Sequence, residues 1–149
     1  MQNLSKPTVE RWERSEDVIR GPIVPFLKML QKYPEYEQEV KVPEKVWPLR
    51  IWYMYDQDVC TLIDVNERER KVKIKNYTDK IMFRAFGVME EPDYNQYIEF
   101  LESRCFPESR DKMKLILKDL GLPFYDPIMI IEKTEGRMAE DDFWIRIER

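Results

Sequence analysis

The sequence predicts an α+β fold: a small antiparallel β-sheet, made of a three-strand meander plus a C-terminal strand, packed against several short helices, with a proline-rich helical N-terminal arm. Three observations lead there. Apolar residues recur with period two across 49–76 and again at 143–147, the spacing of half-buried strands. Between 78 and 134 they recur at three and four residues, the spacing of helices. Six of the 10 prolines stand before residue 49, so that stretch is cut into short pieces.

Taken in order, Thr8 can cap a helix running to Arg20, with Val9, Trp12 and Ile19 loosely on one face and Gly21-Pro22 as its stop. A second helix is expected from Pro25 to Tyr33, with Phe26, Leu27, Leu30 and Tyr33 as its apolar side. These make the arm, residues 1–48. The α+β body follows as residues 49–149, within one domain overall, in keeping with 149 residues.

The run from Arg50 to Tyr55 is aromatic and β-branched, which suits a pleated surface. In the next run Val59, Thr61, Ile63 and Val65 alternate with Cys60, Leu62 and Asp64. In the third, Val72 and Ile74 alternate with Lys71, Lys73 and Lys75, so one face of that strand must see solvent. The connectors Asp56-Gln57-Asp58 and 66–69 are short and polar, which pairs the strands antiparallel.

After Tyr77 the period becomes helical. Thr78 can cap a helix over Asp79 to Phe86, with Gly87 as its left-handed end. Pro92 opens the next helix, where Tyr94, Tyr97, Ile98, Leu101 and Cys105 share a face, and Phe106-Pro107 breaks it. A third runs to about Leu120, with Met113, Ile116, Leu117 and Leu120 on one stripe, and stops at Gly121. Asp126-Pro127 is a cap and pre-organised first turn for Ile128 to Thr134, which ends toward Gly136. In the last strand Phe143, Ile145 and Ile147 alternate with Trp144, Arg146 and Glu148.

Composition removes several function classes. The chain has no histidine, hence no imidazole general base, no histidine-activated nucleophile and few routes to a zinc site. Only 4 glycines leave little for phosphate-cradling loops. A net charge of -4, from 25 basic against 29 acidic residues, disfavours a globally basic nucleic-acid binder. Cys60 and Cys105 have no metal spacing and sit in apolar patterns, which reads as buried free thiols in a reducing cytosol. Neither a signal-peptide run nor a membrane-spanning stretch stands out, so the expected location is cytoplasmic.

Four constellations could carry recognition or chemistry. Arg68, Arg70, Lys71, Lys73 and Lys75 could meet phosphates, with Tyr77 or Trp52 near enough to stack bases. Asp64, Glu67 and Glu69 dilute that field, and a lysine-protected sheet edge is the ordinary fate of such a strand. In the turn 103–110, Arg104 ends one helix, where a cation suits the dipole, and Arg110 is expected to start the next, where it does not. Arg110 therefore points to another job: pairing with Glu108, a partner carboxylate or a phosphate. The trio Glu140, Asp141 and Asp142 could offer oxygen ligands to a divalent ion, but its spacing reads as a polar loop entering the last strand. Trp47, Trp52, Tyr53 and Tyr55 are dense enough for a binding patch, although core is the commoner place for such runs.

The words Phe100-Leu101-Glu102-Ser103-Arg104-Cys105-Phe106-Pro107, Ser109-Arg110, Leu120-Gly121-Leu122, Tyr125-Asp126-Pro127, Lys133-Thr134, Gly136-Arg137-Met138-Ala139-Glu140-Asp141 and Trp144-Ile145-Arg146 resemble a family of short bacterial proteins. Members occur in Gram-positive anaerobes and travel with HipA-type toxin kinases, often in mobile elements. The run from Trp52 to Val59 also resembles the N-terminal β-element of those kinases. The resemblance covers about residues 50–149. It implies a neighbourhood rather than an activity, because the kinase's glycine-rich loop and catalytic Asp and Asn have no counterpart here.

The expected function is a non-enzymatic protein-binding module, an antitoxin or accessory subunit of a HipA-type kinase system, with no cofactor and no metal. Its surface, or the support of that surface, is expected at Arg104, Phe106, Arg110, Tyr125, Arg137 and Trp144. The alternatives are a nucleic-acid-binding regulator using Arg70, Lys71, Lys73 and Lys75, and a phage or mobile-element inhibitor that mimics nucleic acid with acidic patches.

Overall fold

The computed structural model describes residues 23–149. The helix expected over Thr8 to Arg20, and its Gly21-Pro22 stop, lie outside the described residues. The chain divides into two compact units, Met1–Val42 and Pro43–Arg149. The sequence puts that boundary later, at 48/49. The segment from Pro43 belongs with the second unit because Lys45 reaches Glu148, with Nζ 3.3 Å from its carbonyl oxygen and 3.7 Å from its carboxylate.

In the first unit, α1 (Ile23–Lys32) and α2 (Pro34–Val40) follow one another. Helix α1 starts two residues before the expected Pro25. Helix α2 begins at Pro34, where the missing N–H loses nothing in a first helical turn.

The second unit holds β1 (Leu49–Tyr55), β2 (Asp58–Asn66), β3 (Lys71–Asn76), α3 (Tyr94–Ser103), α4 (Met113–Leu120), α5 (Pro127–Thr134) and β4 (Phe143–Glu148). The strands form one antiparallel sheet in the order β3-β2-β1-β4, so the C-terminal strand closes onto the free edge of the meander. This is the α+β architecture the periodicities imply.

The helices cover one face of the sheet. Leu49, Ile51 and Tyr53 of β1, Ile63 and Val65 of β2 and Ile145 of β4 meet Tyr97, Phe100 and Leu101 of α3 and Ile128, Ile130 and Ile131 of α5. Fully burying one such aliphatic side chain contributes about 1.5–3 kcal/mol. Tyr53 is the aromatic centre, stacked on Phe143 at 4.9 Å and edge-on to Phe100 at 5.1 Å. Burial pushes its phenol up to about 12.

The opposite face carries a second, smaller cluster of Trp52, Met54 and Leu62, with Val59, Tyr77 and Trp144 packed against it. Arg50 and Asp64, neighbours across β1 and β2, are buried there as a two-pronged pair, Nε–Oδ1 2.6 Å and Nη2–Oδ2 2.7 Å. The Arg50 and Arg146 guanidiniums lie 5.9 and 4.8 Å from the Trp52 ring, whose indole N–H donates to Glu148. Lys71 and Lys73 are exposed on this face, and Lys75 lies over the Tyr77 ring at 4.9 Å.

Strict alternation along β2 fails at one place. The β1–β2 register shifts between Tyr53 and Met54, where Tyr53 pairs with Thr61 but Met54 pairs with Val59. This bulge sends Cys60 into the helix-side core and Val59 to the tryptophan face, the reverse of a regular period of two.

Three helix starts also differ from expectation. No α-helix forms over 79–86; only a 3-10 turn at Ile81–Phe83 does, and Thr78 makes no cap for it. Phe83 and Phe86 reach the core there, Ala85 N–H donates to the buried Thr61 hydroxyl, and Met82 is left 82% exposed. Helix α3 is opened by Asp93, not Pro92: Asp93 accepts from Gln96 N–H while the Gln96 side chain accepts from Asp93 N–H. Proline has no N–H to offer such a reciprocal cap. Helix α4 begins at Met113, after Lys112 in a left-handed conformation, so Arg110 precedes the helix and does not oppose its dipole. At α5 the expected Asp126 cap and first-turn Pro127 are both present.

Candidate functional site

The loop between α3 and α4 (104–112) and the loop between α5 and β4 (135–142) lie against one another, and one side chain joins them. Arg104, the C-terminal cap of α3, is buried to 6% exposure. Its Nη1 donates to Asp141 Oδ2 at 2.7 Å, and its Nη2 to Asp141 Oδ1 at 3.0 Å and Phe143 O at 3.0 Å. Nε and Nη2 both reach Gly136 O, at 3.1 and 2.8 Å. The hydrogen bonds from Arg104 hold the Asp141 carboxyl below the usual aspartate range. A planar guanidinium can satisfy acceptors at these separate positions, and an ammonium cannot.

Gly136 completes this junction. It sits at φ +58, and a Cβ there would stand 3.2 Å from Ile145 Cδ1 and 3.4 Å from Arg104 O. The helix itself ends one residue earlier, at Glu135 in a left-handed conformation. Gly136 is therefore required by close approach as much as by the helix stop.

Around the junction are the other residues singled out from the sequence. Tyr125 is half-buried and donates its hydroxyl to Phe106 O at 2.8 Å, with Cys105 Sγ 3.6 Å away. Burial pushes both the Tyr125 phenol and the Cys105 thiol up. Arg110 is exposed, lies over the Phe106 ring at 5.6 Å and makes no ion pair among the described residues. The pairing with Glu108 considered above is not formed. Arg137 contacts Glu135 at 2.7 Å and lies over Trp144 at 5.2 Å, while the Trp144 indole donates to Asp56 O.

Two grooves open here and share Arg137 and Met138. One, of about 310 Å³, is lined by Arg104, Phe106, Arg110, Arg137, Met138 and Glu140, among others. Its neighbour, of about 440 Å³, is lined by Asp56, Gln57, Arg137, Asp141, Asp142 and Trp144, with Met138. Arg104, Phe106, Arg110, Arg137 and Trp144 thus come together on one face, and Tyr125 stands behind it as a brace. Arg104 is no exposed contact residue. Its guanidinium is turned inward, and it serves the surface as support.

Sequence reasoning missed Met138 as a groove wall and Asp141 as the partner of Arg104. Met138 was visible only as part of the Gly136–Asp141 word, and Asp141 there and in the acidic trio. The acidic trio does not converge: Asp141 is engaged by Arg104 and Phe143 N–H, and among the described residues no group of three acidic or thiol side chains could hold a metal ion.

The basic strand is dispersed rather than focused. Lys71 contacts Glu69 at 2.6 Å, Lys73 stands opposite Asp64 in register, and Arg70 bonds Asn95 and lies over Tyr94. Trp52 and Tyr53 are buried and Tyr55 is half-buried against the core, so these aromatics are core or its margin, while Trp47 is half-buried. Both cysteines are buried free thiols. Among the described residues no helix is long and apolar enough to cross a membrane. No protein-family model, no curated protein and no solved structure matches the chain.

Proposed function

We propose that the chain is a non-enzymatic protein-binding module that docks on its partner through Phe106, Arg110, Arg137 and Trp144, with Arg104 and Tyr125 holding that face in shape. The observation that carries the reading is Arg110: an exposed guanidinium, stacked on an aromatic ring and lining a groove, with no internal carboxylate among the described residues to neutralise it. Arginine and aromatic side chains on a fixed frame are the groups that dominate protein interfaces. The resemblance to proteins that travel with HipA-type toxin kinases supports taking such a kinase as the partner we propose, with the chain as its antitoxin or accessory subunit.

Co-expression of the tagged chain with the products of its neighbouring genes, followed by size-exclusion chromatography, tests this. A stable complex, weakened by Arg110→Ala at unchanged melting temperature, is the expected result. Failure of every neighbour to co-elute overturns the reading.

A further inference from the structure

We infer that the groove lined by Arg110 and Arg137 receives an acidic, extended segment of the partner protein, with a carboxylate held by the two guanidiniums and an apolar side chain against Phe106 and Met138. This rests on the protein-binding reading above and adds the chemistry of what is bound.

Charge is the first ground. The lining holds three arginines, Arg104, Arg110 and Arg137, against one acid, Glu140. Arg104 is neutralised by Asp141 and Arg137 touches Glu135, which leaves Arg110 unpaired among the described residues. The whole chain carries -4, so the attraction for a carboxylate is local to Arg110, the lining guanidinium that makes no ion pair among the described residues. A local positive site on an acidic protein selects orientation as well as partner.

Shape and rigidity are the second. Ile130, Met138 and Ala139 line the groove beside Phe106, so its polar rim encloses apolar surface. Its frame is tied down by Tyr125 on Phe106 O, by Thr134 Oγ1 on Ile130 O, and by Gly136 N–H on Thr134 Oγ1. A groove fixed before binding loses little freedom on association. At about 310 Å³ it has room for a few side chains of a bound segment. Glu140 in the lining, and Glu135 beside Arg137, oppose a continuous polyphosphate and favour isolated carboxylates.

The probes are short dye-labelled peptides in which Glu alternates with Leu, their counterparts with Gln or Lys in place of Glu, and a single-stranded oligonucleotide. Binding to the full chain is read by fluorescence anisotropy. The Glu peptide is expected to bind about tenfold tighter than the Gln peptide, with affinity falling as salt is added. Arg110→Glu removes no ion pair among the described residues, so it is expected to keep the melting temperature, lose the Glu peptide and gain the Lys peptide. Equal binding of Glu and Gln peptides overturns the inference, as does indifference to Arg110→Glu. Preference for the oligonucleotide, or self-association that Arg110→Glu abolishes, overturns it in favour of nucleic acid or a second copy. A co-expressed complex that survives Arg110→Glu removes the acidic-segment inference and the docking role of Arg110, and leaves standing only that the chain binds a protein.

Discussion

Arg104 and Asp141 lie 37 positions apart and meet in a two-pronged pair, 2.7 and 3.0 Å, that ties the end of α3 to the loop entering β4. The same guanidinium takes the Gly136 and Phe143 carbonyls, so one side chain holds both walls of the candidate groove.

Removing that side chain leaves buried carbonyls without donors and a carboxylate without its cation. Arg104→Ala is therefore expected to cost about 2–3 kcal/mol, chiefly from carbonyls left without donors, because the Asp141 carboxylate is part-exposed and can be solvated. Arg104→Lys is expected to recover little of it, because a single ammonium cannot reach Gly136 O, Phe143 O and both Asp141 oxygens. Urea denaturation of the three proteins checks this. A lysine variant as stable as the parent contradicts the bridging role.

The two glycines at 121 and 136 separate backbone strain from steric contact. Both sit at positive φ, +69 and +58, but a Cβ at Gly121 meets nothing within 4 Å. Gly121→Ala is expected to lose about 1 kcal/mol, from strain alone. Gly136→Ala must also move Ile145 and the Arg104 backbone, and is expected to lose about 2–3 kcal/mol. Thermal melts of the pair measure the difference.

Acid should act through Asp141. Its folded-state pKa is depressed, with the Arg104 hydrogen bonds the largest cause, so the stability it contributes is present above the unfolded aspartate value and is lost as pH falls through the folded one. Asp141→Asn is expected to be less stable than the parent at neutral pH. The gap should close as pH falls below about 4 toward the folded value. Denaturation midpoints against pH test the sign: a gap that widens in acid rules it out.

Tyr97 offers a gain. It is 0% exposed, and its hydroxyl has no hydrogen-bond partner among the described residues. Burial pushes its phenol up, as expected for a hydroxyl held away from water. Tyr97→Phe keeps the ring among the core and removes an unsatisfied polar atom, so it is expected to be neutral or to stabilise by about 1 kcal/mol. A loss above that size means the hydroxyl is engaged after all.

The strands at 49–76 and 143–148, the α5 cap at Asp126-Pro127 and the Gly121 stop were legible in the sequence, because each depends on neighbours within a turn or two. The arginine turn was legible as a place but not as a role. Arg104 and Arg110 look alike in sequence, yet one is a buried brace and the other an exposed cation. That division depends on Asp141, Gly136 and Phe143, more than 30 residues away. The bulge at Cys60 was hidden for the same reason. It exists to fit β2 against β1, and no period within β2 reports it.

By itself, then, the sequence determined the four strands, where α4 stops and α5 starts, and which chemistries lack their side chains. Only the tertiary structure decided which face Cys60 joins, that 79–86 stays out of α-helix, and which of two arginines is free to bind. The former follow from local backbone preference and capping. The latter follow from long-range packing and charge pairing, whose partners no local window contains.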